Sequence, residues 1–196
     1  MNKQKFSGKV VLVTGAGRGA GRALARAFAA QGALVAANDI SPINLEPIVA
    51  EIKSTGGQAQ IYLHDIAKKV DVQVMVNNIE TEHGRIDILV NCANVQLNGT
   101  LLDVDEWDLH RVFDVNAIGT LLVTQSVGRV MRTQGSGVIV NVVKIPDNAP
   151  ASFIASRGGL AAMTERLNSE LGEYGVRVFA VTDDNPVEAV LAGCLD

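Results

Sequence analysis

The chain has 196 residues, 47% of them hydrophobic, and a formal net charge of -4. That length suits one domain with a sizeable core, and an acidic chain without a basic patch is a poor partner for nucleic acid or an anionic membrane surface. Cys92 and Cys194, and the scattered His64, His83 and His110, hold no metal-ligand spacing, so no metal site or disulfide framework is expected and a reducing cytoplasm fits the composition.

The N-terminal MNKQKFSGKV lacks an apolar signal segment, and no apolar run approaches the ~20 residues of a bilayer span. Residues 9–14 (KVVLVT) read as a buried strand. Glycines follow, and ALARAFAAQG reads as a helix ending near Gly32. Residues 34–39 predict a second strand and 42–54 a helix, with Pro42 at a favoured first position. A third strand is expected over 58–64, a third helix over 68–83 and a fourth strand over 86–91 (IDILVN). Residues 105–132 predict one long helix, with Leu109, Val112 and Phe113 on one face. A fifth strand over 137–143, a helix over 152–172 with Ser152 as its N-cap, and a sixth strand over 176–181 complete the pattern. The strand runs are almost continuously apolar, as in strands buried on both faces. The fold class is therefore α/β: a Rossmann-like doubly wound parallel sheet of about six strands with helices on both faces, one domain over residues 1–196.

The loop Thr14-Gly15-Ala16-Gly17-Arg18-Gly19-Ala20-Gly21 leaves the first strand and opens the first helix. Glycines let the backbone approach a pyrophosphate, and a helix N-terminus offers unpaired N–H groups and a positive dipole end. Asp39 ends the second strand about 20 residues on, where a carboxylate accepts hydrogen bonds from a ribose 2′-OH. It would repel a 2′-phosphate, which favours NAD over NADP. The competing reading is a glycine turn that serves only packing, with Asp39 as an N-cap.

Further signals follow in order: Asp65 after strand three, Asn91-Cys92-Ala93-Asn94 after strand four, and Asn116 inside the long helix. Together with the glycine loop, this series resembles the short-chain dehydrogenase/reductase family from about residue 9 to residue 181. The resemblance implies that Gly15, Gly19 and Gly21 hold the pyrophosphate, Asp39 the adenosine ribose and Asp65 the adenine, with Asn91 at the cofactor side of its strand.

The family's chemistry uses a serine after strand five and Tyr-x-x-x-Lys at the start of the next helix. The phenol moves the proton, the lysine tunes it, the serine steadies the substrate oxygen and the asparagine supports a water relay. Aligned on that pattern, Lys144 stands for the serine, Phe153 for the tyrosine and Arg157 for the lysine; Asn116 alone is retained. Phe153 carries no ionisable proton, and arginine does not replace lysine at such a site. Tyr62 and Tyr174 lie elsewhere in the pattern. Asn116 reads more simply as a helix-interior hydrogen bond, Lys144 as a loop cation or a partner of Asp147, and Cys92 as a small buried residue. Asn94 replaces a glycine, and Asp183 and Asp184 bring carboxylates near the cofactor. Weak or absent NAD binding is expected in this chain, with NAD held by an active partner.

Compared with the family, the C-terminal lid and seventh strand are also expected to be missing. The leading expectation is then a non-catalytic subunit that supports an active NAD-dependent paralogue in a heterotetramer, docked through helices 105–132 and 152–172. The inactive subunit of a hydroxybenzylsuccinyl-CoA dehydrogenase-type complex is one such arrangement. An NAD(H)-binding regulatory module, resting on the glycine loop and Asp39, is the first alternative. An active NAD-dependent oxidoreductase with Lys144 as proton donor is the second.

Overall fold

The computed structural model describes residues 4–97, 99–183 and 185–195. Six strands form one parallel sheet in the order β3-β2-β1-β4-β5-β6: β1 Val10–Thr14, β2 Leu34–Asp39, β3 Gln58–Leu63, β4 Ile88–Asn91, β5 Gly137–Val142 and β6 Val176–Val181. The helices are α1 Gly19–Ala30, α2 Pro42–Ser54, α3 Lys69–His83, α4 Glu106–Phe113, α5 Thr120–Gln134, α6 Ala151–Gly172 and α7 Pro186–Gly193. This is the expected doubly wound fold. Alternate strand residues feed two cores. Val11, Val13, Val35 and Val90 pack with Leu24, Phe28 and Ile48 under α1, α2 and α7. Leu12, Ala36, Leu89 and Ile139 pack with Met75, Ile79 and Val127 under α3 and α5. Both faces of β1 are buried, which is why its residues are apolar without alternation.

Several expected boundaries shift. The long helix is interrupted: between α4 and α5, Asp114–Gly119 forms a π-helical turn. Such a bulge inserts an extra residue into the helix and re-aims its side chains. Asp105 caps α4, its carboxylate accepting the Trp107 N–H at 2.7 Å. Ser152 does not cap α6. Pro150 holds that position, without a side-chain cap, and Ser152 falls inside the first turn. Strand four begins at Ile88 rather than residue 86, because Asp87 serves another purpose. Its buried carboxylate accepts from Lys9 Nζ at 3.0 Å, the Val10 N–H at 2.9 Å, and Arg85 Nε at 2.9 Å and Nη2 at 2.5 Å. That ion cluster clamps the entrance of β1 to the entrance of β4. Helix α7 went unpredicted; Val190, fully buried in the first core, holds it against α1.

No helix among the described residues is long and apolar enough to cross a membrane. The sheet order reverses between β1 and β4, which opens a crevice at the strands' C-terminal ends where ligands bind in such folds.

Candidate active site

A cleft of about 540 Å3 occupies that crevice. Its floor is tied by Thr14, whose hydroxyl accepts the Cys92 and Ala93 N–H groups at 3.1 and 3.3 Å. The glycine loop then crosses close above β4. Gly15 has φ +66, and a Cβ there would stand 2.7 Å from the Ala93 Cα. A Cβ on Gly21 would stand 2.2 Å from the Gly15 carbonyl oxygen. Only hydrogen fits at either place. The first turn of α1 has no capping side chain and no acidic residue, so its N–H groups and dipole end are left for an anion.

Asp39 sits across the loop. One oxygen accepts the Gly17 N–H at 3.0 Å and the other the Ser41 N–H at 3.0 Å. The carboxylate thus joins the glycine loop to the start of α2, whose N-cap is Ser41 rather than Asp39. It still lines the cleft, and a carboxylate has more acceptor sites than these two bonds use. Asp65 also lines the cleft. It accepts from the Ala67 N–H at 3.0 Å and forms an ion pair with Arg111 Nη1 at 3.1 Å.

Asn91 departs from expectation. It does not line the cleft; it is buried in the sheet, where its amide donates to Thr124 Oγ1 at 3.0 Å and Asn141 Oδ1 at 2.9 Å. Its side chain bonds Thr124 of α5, and the residues that follow, Cys92 to Val95, line the cleft instead. Asn116 is fully buried in the π turn. Its oxygen accepts the Val95 N–H at 2.8 Å, while its amide donates to the Val95 carbonyl at 2.9 Å and Ser156 Oγ at 3.0 Å. All three contacts hold the loop after β4 and the start of α6, which is positioning work. Asn94 turns its amide back to the Cys92 carbonyl at 3.0 Å. Asp183 is exposed, and Asp184 lies outside the described residues.

The far end of the cleft is made by Val142, Lys144, Pro146, Phe153 and Arg157, beside Cys92. Phe153 and Arg157 face inward from the first two turns of α6 and are each 3% exposed. The four-residue spacing puts them on one helix face, with the guanidinium carbon 5.8 Å from the Phe153 ring centroid. Arg157 Nη2 donates to the Val142 carbonyl. Burial pushes the Cys92 thiol up to about 12, against the opposing charge of Arg157, so the thiol stays neutral and unreactive. Lys144 is exposed on the loop after β5.

Two cationic lining residues went unnoticed in the sequence. Arg111 meets Asp65 from 46 positions away, and no local pattern marks that pairing. Arg18 lies in the glycine loop and reaches the Asn94 carbonyl at 3.3 Å; its place in the motif was the available signal. The helices expected to dock a partner, 105–132 and 152–172, carry a separate groove of about 530 Å3 lined by Leu121, Leu122, Leu167, Leu171 and Tyr174.

A family model for short chain dehydrogenases matches residues 9–183. The chain is 32% identical over 214 residues to a 2,3-dihydro-2,3-dihydroxybenzoate dehydrogenase of Bacillus subtilis, covering 100% of this chain and 82% of the relative. It is 35% identical to a 3-oxoacyl-[acyl-carrier-protein] reductase of Thermotoga maritima, covering 90% of this chain and 74% of that protein. Among solved structures, a metagenomic short-chain oxidoreductase in complex with NADP superposes with TM-score 0.91 at 26% identity, over 98% of this chain and 92% of that one. An NAD+-bound xylitol dehydrogenase gives TM-score 0.85 at 34% identity, over 91% and 70% of the two chains. These relatives are oxidoreductases, and the solved ones hold NAD or NADP. They overturn the expectation of a non-catalytic subunit, and with it the hydroxybenzylsuccinyl-CoA dehydrogenase-type complex; nothing among them points to a chain that lost its chemistry. The chain belongs to the short-chain dehydrogenase family.

Proposed function

We propose that this chain is an NAD-dependent oxidoreductase that interconverts a carbonyl compound and its alcohol, with Lys144 as proton donor in place of a tyrosine. The observation that carries the reading is a single cleft that holds the glycine loop and Asp39 at one end and Lys144 at the other. The residues fit a dinucleotide. Among the described residues, and apart from its chain neighbours and its own helix backbone, nothing stands within 4 Å of where a Gly19 Cβ would be, so the loop faces open space where phosphates are held, and Asp39 borders it as a ribose acceptor. In this reading Gly15, Gly19 and Gly21 cradle the pyrophosphate, Asp39 takes the ribose and Asp65, steadied by Arg111, takes the adenine. The carboxylate of Asp39 disfavours a 2′-phosphate, hence NAD. A bound nicotinamide supplies the two-electron donor or acceptor.

The chain's own residues do the rest. In the reducing direction the Lys144 ammonium gives a proton from Nζ to the carbonyl oxygen, which becomes the hydroxyl. Phe153 excludes water from the neighbouring wall, and Asn116 fixes the loop and helix between which the substrate lies. Two free thiols, of which Cys92 is buried, suit a reducing cytoplasm.

The test is NADH binding by fluorescence, followed by NADH-dependent reduction of a panel of ketones and keto acids. Wild type is expected to bind NADH and turn over, and Lys144→Ala to lose about 10²-fold in kcat, within the range of a general acid, while its NADH affinity changes little. Saturable binding without turnover on any carbonyl would instead make the chain an NAD(H) sensor. Undiminished kcat in Lys144→Ala would remove the assigned donor.

A further inference from the structure

We propose that Arg157 is an anion anchor inside the cleft, and that the substrate carries a carboxylate that pairs with it. The proposal rests on the oxidoreductase reading and narrows its substrate to hydroxy and keto acids. Arg157 is a charged side chain buried to 3% exposure. Its Nη2 donates to the Val142 carbonyl and its face lies over Phe153. Its Nε has no hydrogen-bond partner among the described residues. No ion pair to it exists among the described residues. The adjacent Cys92 thiol is neutral and offers no counter-charge.

The carboxylates lining the cleft, Asp39 and Asp65, belong to its other end, and Asp65 already pairs with Arg111. A buried cation without a counter-ion is strongly unfavourable, and a neutral carbonyl does not offset it. A carboxylate does, because its two oxygens match the guanidinium fork. A cofactor phosphate offers similar chemistry. Arg157, however, stands with Val142 of β5 and Phe153 of α6, whereas the phosphate cradle belongs to the loop after β1.

The experiment compares wild type, Arg157→Lys and Arg157→Met. Calorimetry measures NAD+ affinity, then the affinities of 2- and 3-hydroxybutyrate and of their methyl esters, with and without NAD+; thermal unfolding is recorded without ligand. Wild type is expected to prefer one of the acids over its ester by about tenfold or more, a differential of about 1.4 kcal/mol. Arg157→Met loses that preference, Arg157→Lys keeps part of it, and NAD+ affinity changes less than about threefold in both. The ligand-free Tm of Arg157→Met is expected to equal or exceed that of wild type, because the variant no longer buries an unpaired charge.

Equal binding of acid and ester by wild type overturns the proposal. So does a Tm lower by about 5 °C or more in Arg157→Met, which would make the cation structural. A large loss of NAD+ affinity with the acid preference intact would assign the guanidinium to a cofactor phosphate. Failure of wild type to bind NAD+ sinks the oxidoreductase reading instead, while the acid and ester titrations without NAD+ still decide Arg157.

Discussion

Asp87 offers a direct test of how the strand entrances are held together. Its carboxylate accepts four hydrogen bonds from three residues, two of them cationic. Burial alone pushes its acidity toward the neutral form. The hydrogen bonds from Arg85, the Val10 N–H and Lys9, with the charge of Lys9, outweigh it and hold the pKa below the usual value. Asp87→Asn keeps the volume, removes the charge and turns an amide N–H2 toward donors. A charge-assisted bond is worth about 1.5–3 kcal/mol, but Lys9 and Arg85 are each nearly half exposed, so solvent screening discounts the sum heavily. A net loss of about 2–3 kcal/mol is expected, which for a chain of this length lowers Tm by about 5–10 °C at pH 7.

The pH dependence follows from the sign of the shift. The folded pKa lies below the unfolded one, so the unfolded chain takes up the proton first as pH falls. The stabilisation is complete above about pH 5 and fades as pH drops through the unfolded and then the folded value, at no more than about 1.4 kcal/mol per unit. Urea unfolding of both proteins at pH 7, 5, 4 and 3 measures the gap, which should be widest at pH 7 and narrow steadily below pH 5. A gap under about 0.5 kcal/mol at pH 7, or one that does not change with pH, would refute the reasoning.

Two glycines and one acid make further predictions. Gly21→Ala, whose Cβ would stand 2.2 Å from the Gly15 carbonyl oxygen, should destabilise by about 1–3 kcal/mol through overpacking, read as a drop in Tm. Gly19→Ala has open space around its Cβ but sits at φ +52, a left-handed backbone that costs an alanine about 1–2 kcal/mol; its Tm should fall on that account, and its NADH affinity should fall by more than Gly21→Ala lowers it per degree of Tm lost. Asp39→Ser removes the carboxylate that disfavours a 2′-phosphate; the ratio of NADH to NADPH affinity should fall about tenfold or more, as measured by fluorescence titration, and an unchanged ratio would separate Asp39 from cofactor choice.

Some of the site was legible because its logic is local. The glycine loop is contiguous, and its distance to Asp39 is fixed by one strand–helix–strand unit, so sequence spacing carries the geometry. The absence of a phenol and of its lysine is likewise written in Phe153 and Arg157. What that absence meant for function was misread, because a missing proton donor does not say whether another group supplies the proton.

The sequence by itself determined the strands, their two-sided burial and the order of the motif residues, since apolar runs and glycine spacing follow from backbone physics within each segment. Only the tertiary structure decided where Asn91 points, that Arg111 meets Asp65, that a π turn aims Asn116 at Val95 and Ser156, and that Arg157 is buried with an unpaired Nε. Each of these depends on groups brought together from distant parts of the chain. Their partners are set by the packing of helices on the sheet, a long-range balance that no local pattern encodes.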